Sequence, residues 1–418
     1  MAMDRAITIV GAGHAGFQLA AALRQAGFAG ALTLVGDEAD LPYNRPPLSK
    51  AFLAGAADEA GLAFRPAPWF AEHRIDHRDG LRVAAIDRDR RTLRLADGSD
   101  LAYDRLVLAT GARNRRLPVP GADLEGVLML RSLEEARRVR GAMDGARRAV
   151  VVGAGFIGLE FAATAALKGL AVTVVDVAPR ALSRVLSPEA SSAVEAYHRA
   201  LGVDLRMGAG IAALEGEGGR VARLRLSDGR AVEADLVVVG IGVVPNVELA
   251  GDAGLAIGDG IIVDETLATS DPAIFALGDC ARAPNPHGAG ETERLESVQN
   301  ANDQARALAA HLTGATMPAV PVPWFWSDQG KVKIQMAGLA AAADAAVTAG
   351  GPAMPGAAGD PPQLTVLRFR NGRFVAAETL NRPGDHMAAR ALLARGAGPS
   401  PQEATAPGFE LKAYAKSR

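Results

Sequence analysis

One cysteine, Cys280, stands in 418 residues. That scarcity excludes a disulfide framework, a CxxC dithiol and any four-cysteine zinc or iron–sulfur site. No thiol pair can carry electrons here. Charge of one sign is missing too: 45 basic residues face 47 acidic ones, a net charge of −2. No bulk field therefore draws the chain to nucleic acid or to an anionic membrane. Lysine is scarce, six of the 45 basic residues, which leaves 39 arginines; alanine is abundant throughout, so the arginines reflect a compositional bias and not a binding segment. No uncharged apolar run approaches a membrane span. The first strand pattern, Ala6-Ile7-Thr8-Ile9-Val10, opens too early for a signal peptide to precede it. A cytoplasmic protein is expected. The seven histidines are scattered, no Ser/His/Asp or metal-ligand constellation stands out, and no metal is expected.

What is present is an internal echo. The apolar run Ile7–Val10 leads into Gly11-Ala12-Gly13-His14-Ala15-Gly16, an Ala/Leu-rich helix pattern to about Gln25, the run 32–35 and then Gly36-Asp37-Glu38. Further on, Val150–Val152 leads into Gly153-Ala154-Gly155-Phe156-Ile157-Gly158, a helix to about Lys168, then Val172–Val175 and Asp176. Each reads strand, GxGxxG, helix, strand, acid. In that arrangement the first glycine makes a tight turn, the second lets backbone approach a pyrophosphate, and the third allows close helix–strand packing. The helix amides then face the anion, and the acid accepts from ribose hydroxyls. A lone GxGxxG is weak in a chain this rich in glycine and alanine, but both copies carry the whole context. A length of 418 residues suits two to three domains.

A meander pattern follows the first unit: Arg82–Ile86, Thr92–Leu95, the turn Asp97-Gly98, and Tyr103–Leu108 ending in Ala109-Thr110-Gly111. The layout recurs after the second as Val221–Leu226, Asp228-Gly229 and Asp235–Val239, ending in Gly240-Ile241-Gly242. A later run, Ile274–Leu277, ends in Gly278-Asp279-Cys280. Paired glycine loops, glycine-ended strands and the late Gly-Asp resemble the glutathione-reductase-type flavoproteins. Three further stretches, Leu41-Pro42-Tyr43-Asn44-Arg45-Pro46-Pro47-Leu48-Ser49-Lys50, Pro323-Trp324-Phe325-Trp326-Ser327-Asp328-Gln329 and Asn381-Arg382-Pro383, resemble one branch of them: the oxygenase-coupled NADH:ferredoxin reductases of the FAD-dependent pyridine nucleotide-disulfide oxidoreductase superfamily. Disulfide reductases carry paired cysteines near the first stretch; this chain has Pro, Leu and Ser there. The resemblance spans about residues 5 to 395.

The resemblance implies an α/β fold: two Rossmann-like dinucleotide-binding domains of glutathione-reductase type plus a C-terminal α+β domain. An FAD domain is expected over 1–113 and 245–319, an NAD domain over 114–244 and a C-terminal interface domain over 320–418. Tightly bound FAD is expected on Gly11, Gly13, His14, Ala15 and Gly16, with Asp37, Glu38, Arg45, Pro46, Ala109, Thr110, Gly111, Gly278 and Asp279 around it. The same resemblance adds Val83, Arg131 and Val298 as FAD contacts, the arginine at the pyrophosphate; a core valine would look the same at Val83 and Val298. His14 reads as a tolerated loop residue rather than a base, and Cys280 as a small buried one. NAD(H), as exchanging substrate, is expected on Gly153, Gly155, Phe156, Ile157, Gly158, Asp176, Arg184 and Gly242. Asp176 would repel a 2′-phosphate and so favours NADH; Arg180 and Arg184 are the counter-argument, since either could pair with that phosphate.

For chemistry, Lys50 matches the family lysine near flavin N5, and Glu160 the acid paired with it. The plainer alternative is a surface lysine and an N-terminal-turn glutamate favoured by the helix dipole. Trp324 and Trp326 share one face of a strand-like run, with Phe325 on the other; Trp326 is the expected flavin neighbour, although packing aromatics would look alike. The third unit reads as strands near Val332–Met336, Leu364–Phe369 and Phe374–Leu380 and a helix ending near Ala394, with 340–363 a mobile connection and no pattern after Gly396. The implied activity passes a hydride from NADH to flavin N5 and then single electrons to a 2Fe–2S ferredoxin serving a haem monooxygenase or a Rieske dioxygenase. Rubredoxin reductase or a diaphorase is the enzymatic alternative; an NADH-responsive redox sensor is the non-enzymatic one. The arginines Arg113, Arg115 and Arg116 form one candidate basic rim for an acidic partner.

Overall fold

Runs of apolar residues without polar alternation become strands covered on both faces. In the computed structural model of the chain, which describes residues 5–288, 292–341, 343–351 and 360–418, two such runs centre two parallel sheets. The chain divides into two units, one of residues 1–45, 59–113 and 244–321, the other of 46–58, 114–243 and 322–418.

In the first unit, Ile7–Val10 pairs in parallel with Leu32–Val35 on one side and Arg105–Leu108 on the other. Ile274–Ala276 and Ile75–Arg78 complete the two edges. The strand order therefore reverses beside Ile7–Val10, and in open α/β sheets ligands bind at the carboxyl ends of the strands at such a switch point. Helix His14–Gln25 buries Phe17, Leu19, Ala20 and Leu23 and packs on helix Val298–Thr313. A three-stranded antiparallel sheet of Val83–Asp87, Thr92–Leu95 and Asp100–Ala102 joins it. The strand expected over Tyr103–Leu108 is shorter, Arg105–Leu108, and the last meander strand, Asp100–Ala102, ends before it; between them the Asp104 and Arg105 amides both bond to the Ala6 carbonyl, which turns the chain out of the meander and into the parallel sheet.

The second unit repeats the plan. Arg148–Val152 lies between Ala171–Asp176 and Leu236–Val239, with Asp204–Met207 and Val127–Met129 outside them, all parallel. Its meander has a further strand without a sequence signal, Ile211–Glu217, a half-exposed segment running into Gly218-Gly219. Residues Trp324–Gln329, Val332–Gly338, Arg373–Leu380, Leu364–Arg370 and Ala345–Thr348 form a five-stranded antiparallel sheet in that order. Helix Pro383–Ala394 packs on it and helix Leu411–Ser417 on that helix.

Two expectations are corrected here. The stretch 340–363 is not simply a connection: Ala345–Thr348 pairs with Leu364–Arg370, an alternation hidden among alanines too small to show a pattern. Residues 342 and 352–359 of that stretch lie outside the described ones. The tail also folds. Ser400 and Glu403 make a capping box on Pro401–Thr405, and Ala404 and Leu411 are buried against Phe369, Phe374 and Leu392. Short helices that depend on tertiary burial carry little sequence signal.

Candidate functional site

The two glycine loops divide labour among their glycines in the same way. A Cβ on Gly11 would lie 2.2 Å from the Ala109 carbonyl oxygen, and one on Gly16 1.9 Å from that of Gly11. In the second loop the matching clashes are 2.4 Å from Gly153 to the Gly240 oxygen and 2.1 Å from Gly158 to the Gly153 oxygen. These four glycines are needed by the fold itself. The middle ones are not: a Cβ on Gly13 would meet only Arg45, at 3.8 Å, and one on Gly155 only the Gly240 oxygen, at 3.9 Å. Space kept bare there serves something outside the chain. Neither following helix has a side-chain cap, so its first amides are available to an anion. Both loops fit the pyrophosphate of a dinucleotide.

Around the first loop, Glu38 accepts from the Tyr43 hydroxyl at 2.6 Å and pairs with Arg45; Asp37 is exposed. His14 Nε2 pairs with Asn302 Oδ1 at 2.9 Å, its ring edge-on to Phe64, and burial lowers its pKa. The Ala109-Thr110-Gly111 turn is closed by Asn246, whose amide donates to the Thr110 carbonyl at 2.8 Å while the Thr110 hydroxyl donates to the Asn246 carbonyl at 2.7 Å. Gly278 has φ +77°, and its amide donates to Gln304 at 2.7 Å, ahead of Asp279. Cys280 is fully buried, its thiol donating to the Leu277 carbonyl at 3.3 Å. Val83 is a core residue and Val298 the first residue of its helix. Arg113 is held by Glu248 at 2.6 Å, which removes it from a free basic rim; Arg115 and Arg116 are exposed.

In the second unit Asp176 turns both carboxylate oxygens toward backbone amides, Ala154 at 2.6 Å and Ala178 at 2.8 Å. Arg180 spends its guanidinium on the carbonyls of Ser183 and Leu186, so it shapes the loop instead of waiting for a phosphate. Arg184 is exposed, and a Cβ on Gly242 would lie 3.6 Å from its guanidinium. Arg131 also belongs to this unit, not to the unit of the first loop; its amide donates to Glu135, part of the capping box that starts helix Leu133–Gly145.

The charged centre of the second unit is Lys50 and Glu160, 2.6 Å apart. After Pro46-Pro47 the chain makes a π-helical turn, Leu48–Phe52, which packs on helix Phe156–Leu167. Lys50 Nζ also donates to the Pro46 carbonyl at 2.9 Å. Glu160 is 3% exposed and is neither a surface residue nor a free first-turn acid. It accepts from Ser49 at 2.5 Å and from Ser327 at 2.6 Å. A buried carboxylate needs such donors. Ser49 and Ser327 lie within two of the sequence motifs, but no spacing ties them to Glu160; only packing of three separate segments does. Strand Trp324–Gln329 keeps the expected alternation: Trp324 and Trp326 are 5.6 Å apart, while Phe325 meets Phe156 at 4.6 Å. Trp324 also contacts His386, and the Arg390 guanidinium lies 4.7 Å over its ring. No cluster of His, Cys, Asp and Glu able to hold a metal occurs among the described residues, and none of their helices is long and apolar enough to cross a membrane.

Two dinucleotide cradles, one lone buried cysteine and a buried lysine–glutamate pair define a two-nucleotide oxidoreductase that works without a thiol pair. The chain belongs to the pyridine nucleotide-disulphide oxidoreductase family, whose profile matches residues 5–305, and carries its reductase C-terminal domain over 324–415. That family binds FAD and a pyridine nucleotide. Rhodocoxin reductase of Rhodococcus erythropolis is 48% identical over 406 residues, 97% of this chain and 93% of the relative. Among solved structures, the ferredoxin reductase for the CYP199A2 system of Rhodopseudomonas palustris superposes with a TM-score of 0.93 at 47% identity, covering 99% of this chain and all of that one. The covalent putidaredoxin reductase–putidaredoxin complex gives a TM-score of 0.92 at 39% identity, covering 99% of each chain.

Proposed function

We propose that this chain is an FAD-dependent NADH:ferredoxin reductase that supplies a 2Fe–2S ferredoxin for a haem monooxygenase or a Rieske dioxygenase. The observation that carries this reading is the Lys50–Glu160 pair, held by Ser49 and Ser327 on a two-cradle scaffold whose only cysteine is buried. The chain holds no thiol pair to receive electrons, so the acceptor lies outside it, and the proposed one is a 2Fe–2S protein.

Gly11, Gly13 and Gly16, the Glu38–Arg45 pair and Asp279 are the residues that would hold FAD, and hold it tightly. Gly153, Gly155, Gly158, Asp176 and Arg184 would hold NADH as the exchanging partner. Bound FAD converts two-electron to one-electron chemistry. Lys50 supplies a fixed positive charge for the anionic charge that develops on reduction, and Glu160 keeps its ammonium in one place. No side chain needs to move a proton for hydride transfer. Asp176 disfavours a 2′-phosphate by like charge. NADH is a cytoplasmic metabolite, and the protein is expected to work there.

The purified protein should be yellow and lose its flavin colour faster with NADH than with NADPH. A colourless protein that refuses added FAD ends the proposal. Offering a 2Fe–2S ferredoxin and a rubredoxin side by side to the NADH-reduced protein separates ferredoxin reductase from rubredoxin reductase or diaphorase. Slow transfer to every acceptor would mark a redox sensor instead.

A further inference from the structure

Beyond Ser327 the polar contacts continue inward. Gln329 Nε2 lies 3.3 Å from Ser327 Oγ, and Gln329 Oε1 lies 2.8 Å from His198 Nε2. Ser327, Gln329 and His198 are each fully buried. They come from two places: strand Trp324–Gln329 carries the first two, and the last turn of helix Pro188–Ala200 carries the third. The neighbouring Tyr197 hydroxyl accepts the Lys331 amide at 2.8 Å, so the same helix end pins the hairpin that follows Gln329. Buried polar side chains at this depth are costly unless each has a partner.

The chemistry of the groups gives the line a single direction. Glu160 Oε2 already takes the Lys50 ammonium and the Ser49 hydroxyl, and Oε1 meets Ser327. A carboxylate engaged by an ammonium only accepts, so the one hydroxyl proton of Ser327 goes to Glu160. Ser327 can then only accept from Gln329, which requires the amide nitrogen to face it and excludes the flipped amide. The Gln329 oxygen therefore faces His198 and can only accept, so His198 carries its proton on Nε2. His198 Nδ1 is left buried with no partner, as a bare acceptor nitrogen can be at lower cost than an N–H. Burial also lowers the His198 pKa, in keeping with a neutral ring.

We propose that Ser327, Gln329 and His198 are positioning residues of the reductase: a one-way line of hydrogen bonds, starting at the His198 Nε2–H and ending on Glu160 Oε1, that holds the carboxylate which in turn holds Lys50. Aligned donors polarise one another, and both Glu160 oxygens are occupied, which leaves the carboxylate a single orientation. The inference rests on the reading of Lys50 and Glu160 given above.

The test uses the full-length, FAD-loaded protein. Long-range proton–nitrogen correlation spectra of histidine-labelled protein at neutral pH should show His198 as the neutral Nε2–H tautomer. Rapid-mixing reduction by NADH should show Ser327→Ala cutting the limiting rate about tenfold, the loss of one charge-assisted hydrogen bond, with the half-saturating NADH concentration nearly unchanged. Ser327→Thr, which keeps the hydroxyl, should recover most of the rate. Gln329→Glu, equal in size but with an acceptor facing Ser327, should lose at least as much as Ser327→Ala. A His198 ring protonated on Nδ1, or a Gln329→Glu protein as fast as the parent, overturns the proposal, and both can be read even if Ser327→Ala fails to fold. Lys50→Ala is the control: if it slows reduction while Ser327→Ala does not, the line alone is wrong; if neither slows it, the Lys50–Glu160 reading falls and takes the line with it.

Discussion

The two glycine loops of this chain share a backbone plan but not a rim. The first is closed by side chains of its own unit: His14 is tied to Asn302 and edged by Phe64, and Glu38 is tied to Tyr43 and Arg45. The second is tied mostly to itself, with Asp176 bonding its own loop amides. Its rim exposes large apolar residues, Ile157 at 42% and Val177 at 74%. One backbone motif thus carries a rim tied by side chains in one unit and a more open rim in the other, depending on what each unit packs around it, in keeping with the proposal that the first retains its dinucleotide and the second exchanges it.

Alanine at the third glycines should do the most damage. Gly16→Ala puts a Cβ against backbone at 1.9 Å, and we expect loss of FAD together with much of the thermal stability, read by flavin release on melting. The middle glycines then split the comparison. Gly13→Ala should fold but retain FAD poorly, whereas Gly155→Ala should stay yellow and show a KM for NADH raised about tenfold; the reverse pattern would undo the assignment of the two cradles. Lys50→Ala should lower the limiting rate of flavin reduction about a hundredfold with FAD content unchanged, the size expected for a lost electrostatic contact in a catalytic centre. Asp176→Ala should narrow the preference for NADH over NADPH about tenfold, measured as a ratio of kcat/KM values.

The smallest effect is on stability against pH. Burial, helped by Arg390, pushes His386 down from 6.5 to about 4. As pH falls from 6.5 toward 4 the unfolded chain takes up a proton that the folded ring refuses, so stability present above 6.5 is lost across that window. His14, His77 and His198 are lowered by burial in the same direction. His386→Phe should flatten the fall of Tm between pH 6.5 and 4 relative to the parent; an unchanged slope would show that this ring does not contribute.

Much of the fold was legible because its signals are local. A strand of consecutive β-branched residues, Ile7–Val10 or Val150–Val152, a glycine loop and a helix are written within about thirty residues of each other, and both copies appear where the motifs stand. Legibility failed where structure depends on distant partners. Ala345–Thr348 is a strand only because Leu364–Arg370 offers an edge, and Pro401–Thr405 and Leu411–Ser417 are held by burial of Ala404 and Leu411. For the functional residues the division is the same. Lys50 and Glu160 could be picked out by motif, but Ser327, Asn246, Asn302 and Gln329 are ordinary polar residues with no spacing rule. Arg180 looked free for a phosphate and is consumed by its own loop.

Composition and motif order alone settled that this is a two-nucleotide α/β protein without a thiol pair, since glycine spacing and the lack of a second cysteine are properties of the chain. Which donors surround Glu160, which way the Ser327–Gln329–His198 line runs, and which glycine loop is walled in were decided by tertiary structure. Hydrogen bonds between residues more than a hundred positions apart depend on how segments pack, and packing is a property of the folded whole.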